Sequence, residues 1–145
     1  MLWSVESRRE EAYELFDQAF EMAGKYGDIV TQVRNLRIRA QCRLRENKYD
    51  RVIALRDEVL KFQTLPSSAK IDLALLHLNA ALAEGSLGLT TYGETSLEIS
   101  RGIFDSIGVE ATLYHLAKMQ FAAIQGRFDE SVEQAREIER LDQVP

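Results

Sequence analysis

Residues that usually carry chemistry are scarce in this 145-residue chain, which has one cysteine, two histidines, two prolines and one tryptophan. Cys42 stands alone, which excludes an intramolecular disulfide and leaves no cysteine pair for a zinc site. His77 and His115 have no carboxylate or thiol at helical i, i+4 spacing, so neither a metal site nor a cofactor is expected. No apolar run approaches the roughly 20 residues that cross a bilayer. The opening Met1-Leu2-Trp3-Ser4-Val5-Glu6 lacks a basic start and a small-residue cleavage pattern, and a folded, soluble, cytoplasmic protein is the expectation. Positive charge is also in deficit: 18 Lys and Arg against 23 Asp and Glu give a net charge of −5, which argues against broad binding to nucleic acid or anionic membrane. Sustained alternation is missing, as is any Asn-Gly or Asp-Gly turn between β-branched runs, so strands are not expected. A Gly-rich phosphate loop, a Gly-x-Ser-x-Gly elbow and a His-Glu-x-x-His helix are all missing, and no carboxylate pair sits in a sheltered setting; no catalytic residue is assigned.

What the chain does contain is helical periodicity, in about seven segments. Val5, Ala12, Phe16, Phe20 and Ala23 form one stripe over residues 5–25, stopped by Tyr26-Gly27-Asp28. Ile29, Val33, Leu36, Ala40 and Leu44 form the stripe of the next helix, ended at Asn47. The third, over 49–63, turns Val52, Leu55, Val59 and Phe62 inward and closes at Leu65-Pro66. A fourth begins at Ser67 or Ser68 as cap, with Ile71, Leu75, Leu78 and Leu82 on one face and Leu73, Leu76 and Ala80 on the other. Being apolar on two sides, it is expected to be central. Thr91 and Glu94 have the spacing of a capping box for the fifth, whose core contacts are Leu97, Phe104 and Ile107 and which Gly108 closes. The sixth, over 109–125, directs Leu113, Leu116, Ala117, Phe121 and Ile124 inward, and the seventh, over 128–141, contributes Val132, Ala135 and Ile138.

These segments repeat with a period of about 40 residues. Asn47-Lys48-Tyr49-Asp50 and Gly126-Arg127-Phe128-Asp129 mark the turn of two copies, while the copy between them has the looser Gly85-Ser86-Leu87-Gly88-Leu89-Thr90-Thr91. The run Glu11 to Asp28, ending Gly24-Lys25-Tyr26-Gly27-Asp28, resembles the second helix of a tetratricopeptide repeat, in the longer version that ends in Gly-Asp. Gln125-Gly126-Arg127-Phe128-Asp129-Glu130-Ser131 is similar to that family's Gly-x-aromatic-Asp-Glu-Ala turn, with Ser131 in the usual alanine position. The Trp and Leu-Gly pair typical of the family's first helix are missing, and Arg37 and Gln120 intrude on core stripes. The resemblance implies an all-α, right-handed α-solenoid of stacked antiparallel helix pairs. It would be one domain over 1–145: a half repeat (5–28) and three repeats (29–66, 67–108 and 109–145).

Such arrays bind partners in a concave groove lined by the first helix of each repeat. The residues opposite the core stripes are the candidates: Arg34, Asn35, Ile38, Arg39 and Cys42, with Thr31 and Arg45, on the second helix; Leu73, Leu76, His77 and Ala80 on the fourth; Ala111, His115, Lys118, Met119 and Ala122 on the sixth. Apolar and cationic groups together suit a protein or peptide with acidic and apolar side chains. The expected role is a scaffold or adaptor. The alternative is a ligand- or peptide-sensing segment of a bacterial transcription or signalling regulator, whose sensor arrays these Gly-Asp-ended repeats resemble. Because the chain opens on a half repeat and ends without a polar capping helix, it is expected to belong to a longer protein or to self-associate, as a homodimer, through Trp3, Phe16, Phe20 or the last helix.

Overall fold

The computed structural model describes residues 2–109 and 112–142, with side chains from residue 8 onward. Seven α-helices fill them: α1 (Leu2–Lys25), α2 (Ile29–Arg45), α3 (Tyr49–Glu58), α4 (Lys70–Ser86), α5 (Thr90–Ile107), α6 (Thr112–Ile124) and α7 (Phe128–Asp142). No strand occurs among the described residues. The third helix is shorter than its apolar stripe suggests, because it tightens into a 3-10 turn at Val59–Lys61. Ser67 and Ser68 open another 3-10 turn, Ser67–Ala69, instead of capping α4. Thr91 and Glu94 do not cap α5 either: that helix starts at Thr90 after Leu89, with no side-chain cap.

Five of the six connections share one backbone device. At Gly27, Asn47, Gly88, Gly108 and Gly126 the chain turns left-handed, with φ between 59° and 78°. Each of these residues donates its N–H three residues back, and the next residue donates five back: Lys48 to the Arg43 carbonyl, Leu89 to Glu84, Arg127 to Ala122. This paired closure satisfies the last carbonyls of each helix. The middle connection is therefore not looser than the others. Gly85 and Ser86 remain helical, and Gly88-Leu89-Thr90 repeats in space what Gly126-Arg127-Phe128 does. The turn requires a left-handed residue; the aromatic-Asp pair after it is dispensable. Asp28 adds a true cap to α2, accepting from the Thr31 N–H at 3.0 Å and hydroxyl at 2.6 Å, bonds that hold its carboxyl below the ordinary value.

Helices adjacent in the chain pack as pairs, α2 with α3, α4 with α5 and α6 with α7, consistent with a helical repeat. α2, α4 and α6 lie side by side as an inner row; α3 packs on α2 and α4, and α5 packs mainly on α4. The core forms two clusters that share α4. Leu36, Ala40, Val52, Leu55, Val59, Leu76 and Ala83 close one between α2, α3 and α4. The other, between α4, α5 and α6, joins Ala74, Leu78, Ala81, Leu97, Phe104, Tyr114, Ala117 and Phe121. Phe121 lies against Gly85 and Gly93, where a Cβ would come within 2.8 Å and 2.3 Å of its ring. Small residues here let three helices meet around one aromatic side chain.

Two buried acids cross-link these layers. Asp72 accepts from Nε of Arg37 at 2.9 Å and of Arg34 at 3.3 Å, tying α4 to α2. The apparent intrusion of Arg37 into a core stripe is thus the counter-charge of a buried carboxylate. Glu84 accepts from the Ser96 hydroxyl at 2.5 Å and from Arg56 at 3.3 Å, joining α4, α5 and α3. Burial pulls the Arg56 guanidinium down, but its bonds to Asp57 and Glu84 more than offset this and raise it.

α1 docks on α2 largely through polar contacts. The Asn35 amide donates to the Phe16 carbonyl at 2.9 Å, Arg39 pairs with Asp17 at 2.7 Å, and Arg43 stacks 3.6 Å over the Tyr13 ring. The Tyr13 hydroxyl donates to Glu46, and desolvation with that bond pushes the phenol up to about 12.

Candidate partner-binding face

Each inner helix has one side free of neighbours, and a rotation of about 100° per residue shows where it lies. On α2 the Asp72 pairings mark the side toward α4, Leu36 and Ala40 mark the side toward α3, and Asn35 and Arg39 point to α1. Thr31, Arg34, Ile38, Cys42 and Arg45 remain accessible. On α4 the open stripe is Ile71, Leu75, Asn79, Leu82 and Ser86, and on α6 it is Leu113, Leu116, Gln120, Ala123 and Ile124. All three stripes lie on the sides of their helices away from α3, α5 and α7, and together they are called the open face.

On α2 Thr31, Arg34, Ile38, Cys42 and Arg45 lie on the accessible side; on α4 Leu78 of the expected core face is buried, with Leu75 and Leu82 packed against the same cluster, but the residues expected in the groove also turn inward. Leu76, His77 and Ala80, expected in the groove, are buried, and half-buried Leu73 packs on the α2–α3–α4 cluster. Ile71, expected in the core, is 48% exposed. Asn35 is buried beneath α1, and Arg39 reaches α1 instead of the open face. On α6, Leu113, Leu116 and Ile124 are 52%, 38% and 47% exposed instead of inward. Val132 on α7 is likewise exposed. The ring of His115 lies 2.8 Å from the Gln134 side chain, the Met119 carbonyl accepts from Ser131, Ala122 is buried, and Lys118 lies 6.0 Å from the centre of the Tyr114 ring. These four line the α5 and α7 sides of α6. Gln120 does not intrude on a core stripe, since it stands on the open face. Ala111 and the side chains of Trp3 and Val5 lie outside the described residues. Phe16 and Phe20 turn toward α2 as half-buried groups; the apolar residues that α1 exposes include Leu15, Met22 and Tyr26.

This inward turn on α4 has a packing cause. Four helices press on it, and close approach demands small side chains where they meet, so Ala74, Ala80, Ala81, Ala83 and Gly85 go inside. The larger Ile71 is left exposed, and Leu75 and Leu82 are half-buried at the rim of the α4–α5–α6 cluster. A run of alanines along two faces of a leucine-rich helix was the available signal.

Charge is segregated with equal clarity. α2 and α6 contain no acidic residue, and α4 contains only Asp72 and Glu84, both buried and paired with arginine. The three helices of the open face therefore contribute no exposed carboxylate among the described residues; Asp28, the cap of α2, stands exposed at its edge, bonded to Thr31. Arg34 lies at the α2 edge with its side chain 56% exposed, and Arg45 has no acidic partner among the described residues. No protein-family model, curated protein or solved structure matches this chain. No group of three or more His, Cys, Asp or Glu that could hold a metal occurs among the described residues, and none of their helices is long and apolar enough to cross a membrane. His77 and His115 do not converge: one is buried near Arg56 and Asp57 of α3, and the other faces α7.

His77 contributes to stability instead. Burial, with Arg56 nearby, lowers it from 6.5 to about 4. The folded state therefore keeps it neutral where the unfolded chain binds a proton. Its contribution is complete above pH 6.5 and is lost as pH falls toward 4. Between pH 7.5 and pH 4.5 the native chain should lose roughly 2–3 kcal/mol relative to His77→Leu, read from urea midpoints at the two pH values. Parallel pH dependence of the two proteins would show that His77 titrates normally.

Proposed function

We propose that this chain is a non-catalytic interaction scaffold of the tetratricopeptide kind, a right-handed solenoid. It holds a protein or peptide partner on the open face of α2, α4 and α6, as the concave groove, in the cytoplasm. The observation that carries this reading is the segregation of charge. In a chain of net charge −5, the three helices of this face contribute no exposed carboxylate among the described residues, and the face is apolar over α4 and α6 and cationic over α2. Exposed apolar area is maintained in soluble proteins chiefly where something covers it. Apolar side chains of a partner would settle on Ile71, Leu113, Leu116 and Ile124, and its acidic groups would reach Arg34 and Arg45.

The test is affinity capture from native cell extract with the unaltered chain, Leu116→Glu and Arg45→Glu. Leu116→Glu places an acid among apolar contacts, and Arg45→Glu reverses charge at the cationic edge. Each should reduce capture of the partner at least tenfold, about 1.4 kcal/mol, whereas Arg136→Glu on α7 should leave it intact. Equal capture by all four proteins would remove the open face as the binding site.

A further inference from the structure

On the opposite side of α2 the structure contains a second, unrelated site. α1 and α3 both pack on α2 yet barely meet each other, and the trough between them encloses about 410 Å³. That falls within the roughly 300–1,000 Å³ of small-molecule sites. Phe20, Leu36, Ala54 and Leu55 supply its apolar lining, and Arg39, Arg43 and Arg51 supply its cationic lining.

The state of each charge decides what fits. Arg39 spends Nη2 on Asp17, and its Nε is buried without an acceptor. Arg43 is stacked on Tyr13 and lies 3.7 Å from Glu46. Arg51 is exposed and has no acidic partner among the described residues. Glu58, the one carboxylate in the lining, is already paired with Lys61 at 2.9 Å. One guanidinium in the lining, that of Arg51, thus remains uncompensated at the edge of an apolar surface.

We infer that the α1–α3 cleft binds a small amphipathic monocarboxylate, its apolar body on Phe20, Leu36 and Leu55 and its carboxylate on Arg51. A carboxylate neutralises Arg51 through charge-assisted bonds. A dianion would exceed the one uncompensated charge, and a cation would face three arginines. Occupancy would also bridge α1 to α3, which otherwise meet only through α2, and so stiffen the polar docking of α1. The site shares no residue with the open face, and either proposal can fail alone.

Octanoate is a suitable probe, followed by amide chemical shifts of the isotope-labelled chain during titration to millimolar concentration. Saturable shifts are expected at Phe20, Arg39, Ala54 and Leu55, with Ile71 and Leu116 unmoved. Octanol and octyltrimethylammonium should bind at least tenfold more weakly. Arg51→Glu should lose octanoate binding while its thermal midpoint stays within a degree or so of the parent, because Arg51 is exposed and makes no ion pair. Absence of saturable shifts, shifts on the open face instead, equal binding of octanol, or unchanged octanoate affinity in Arg51→Glu would each overturn the assignment.

Discussion

Replacing Phe121 with alanine is expected to cost about 3–5 kcal/mol of folding stability, the usual range for emptying an aromatic site in a core. Phe121 is 1% exposed and fills the junction of α4, α5 and α6. Whether neighbours can collapse into a cavity sets where in that range a substitution falls. Here they cannot collapse well, because the ring lies against Gly85 and Gly93, which have no side chains to swing in. The effect should appear in urea denaturation as a lower midpoint. Loss of this contact should also loosen α6 and α7 before the rest: α7 buries no residue of its own and reaches the core only through α6. Faster amide exchange in α6 and α7 than in α2 and α3 of the variant would show that order of release. A cost below about 1 kcal/mol would mean that the α6–α7 pair is not docked through this ring.

The second large effect belongs to Glu84. Removing one member of a buried ion pair leaves the other desolvated and uncompensated, typically at about 3–5 kcal/mol. Glu84→Ala leaves the Ser96 hydroxyl without its acceptor and reduces the counter-charge of Arg56 to Asp57. A loss near the lower end of that range is expected, because Asp57 remains 2.7 Å from Arg56. The sharper readout is the pair. Arg56→Leu with Glu84→Leu removes both charges and should recover most of the stability lost by Glu84→Ala, since apolar replacement of a whole buried pair is often neutral. Additive losses in the double variant, measured by denaturant titration, would show that the two side chains act independently.

The inner ends of these networks also show where sequence reading stops. Glu84, Ser96 and Arg56 are separated by 12 to 40 positions, and nothing local marks Glu84 as different from the surface glutamates of α1 or α7. Arg37 reads locally as an intrusion because its partner, Asp72, lies 35 residues away. The closures at Gly27, Asn47 and Gly108, in contrast, were legible because their requirement is local: a left-handed residue closes the helix whatever packs around it. The Thr91–Glu94 pattern fits a cap and makes none, because the chain enters α5 from the Gly88 turn two residues earlier than that cap would need.

By itself the sequence determined the number and order of the helices, the closures at Gly27, Asn47 and Gly108, and the absence of any strand signal. Those depend on 3.6-residue periodicity and on backbone preferences of single residues, information that lies within a few positions along the chain. The period of about 40 residues paired the helices for the same reason. Tertiary structure alone decided which apolar face of α4 and α6 goes inside. Each of these helices is apolar on more than one side, so hydrophobicity cannot choose between them. The choice is made by how closely neighbours must approach: alanines and glycines admit α3, α5 and α6 where leucines would hold them off. Ile71 of α4 and Leu113, Leu116 and Ile124 of α6 are thereby left exposed on the open face.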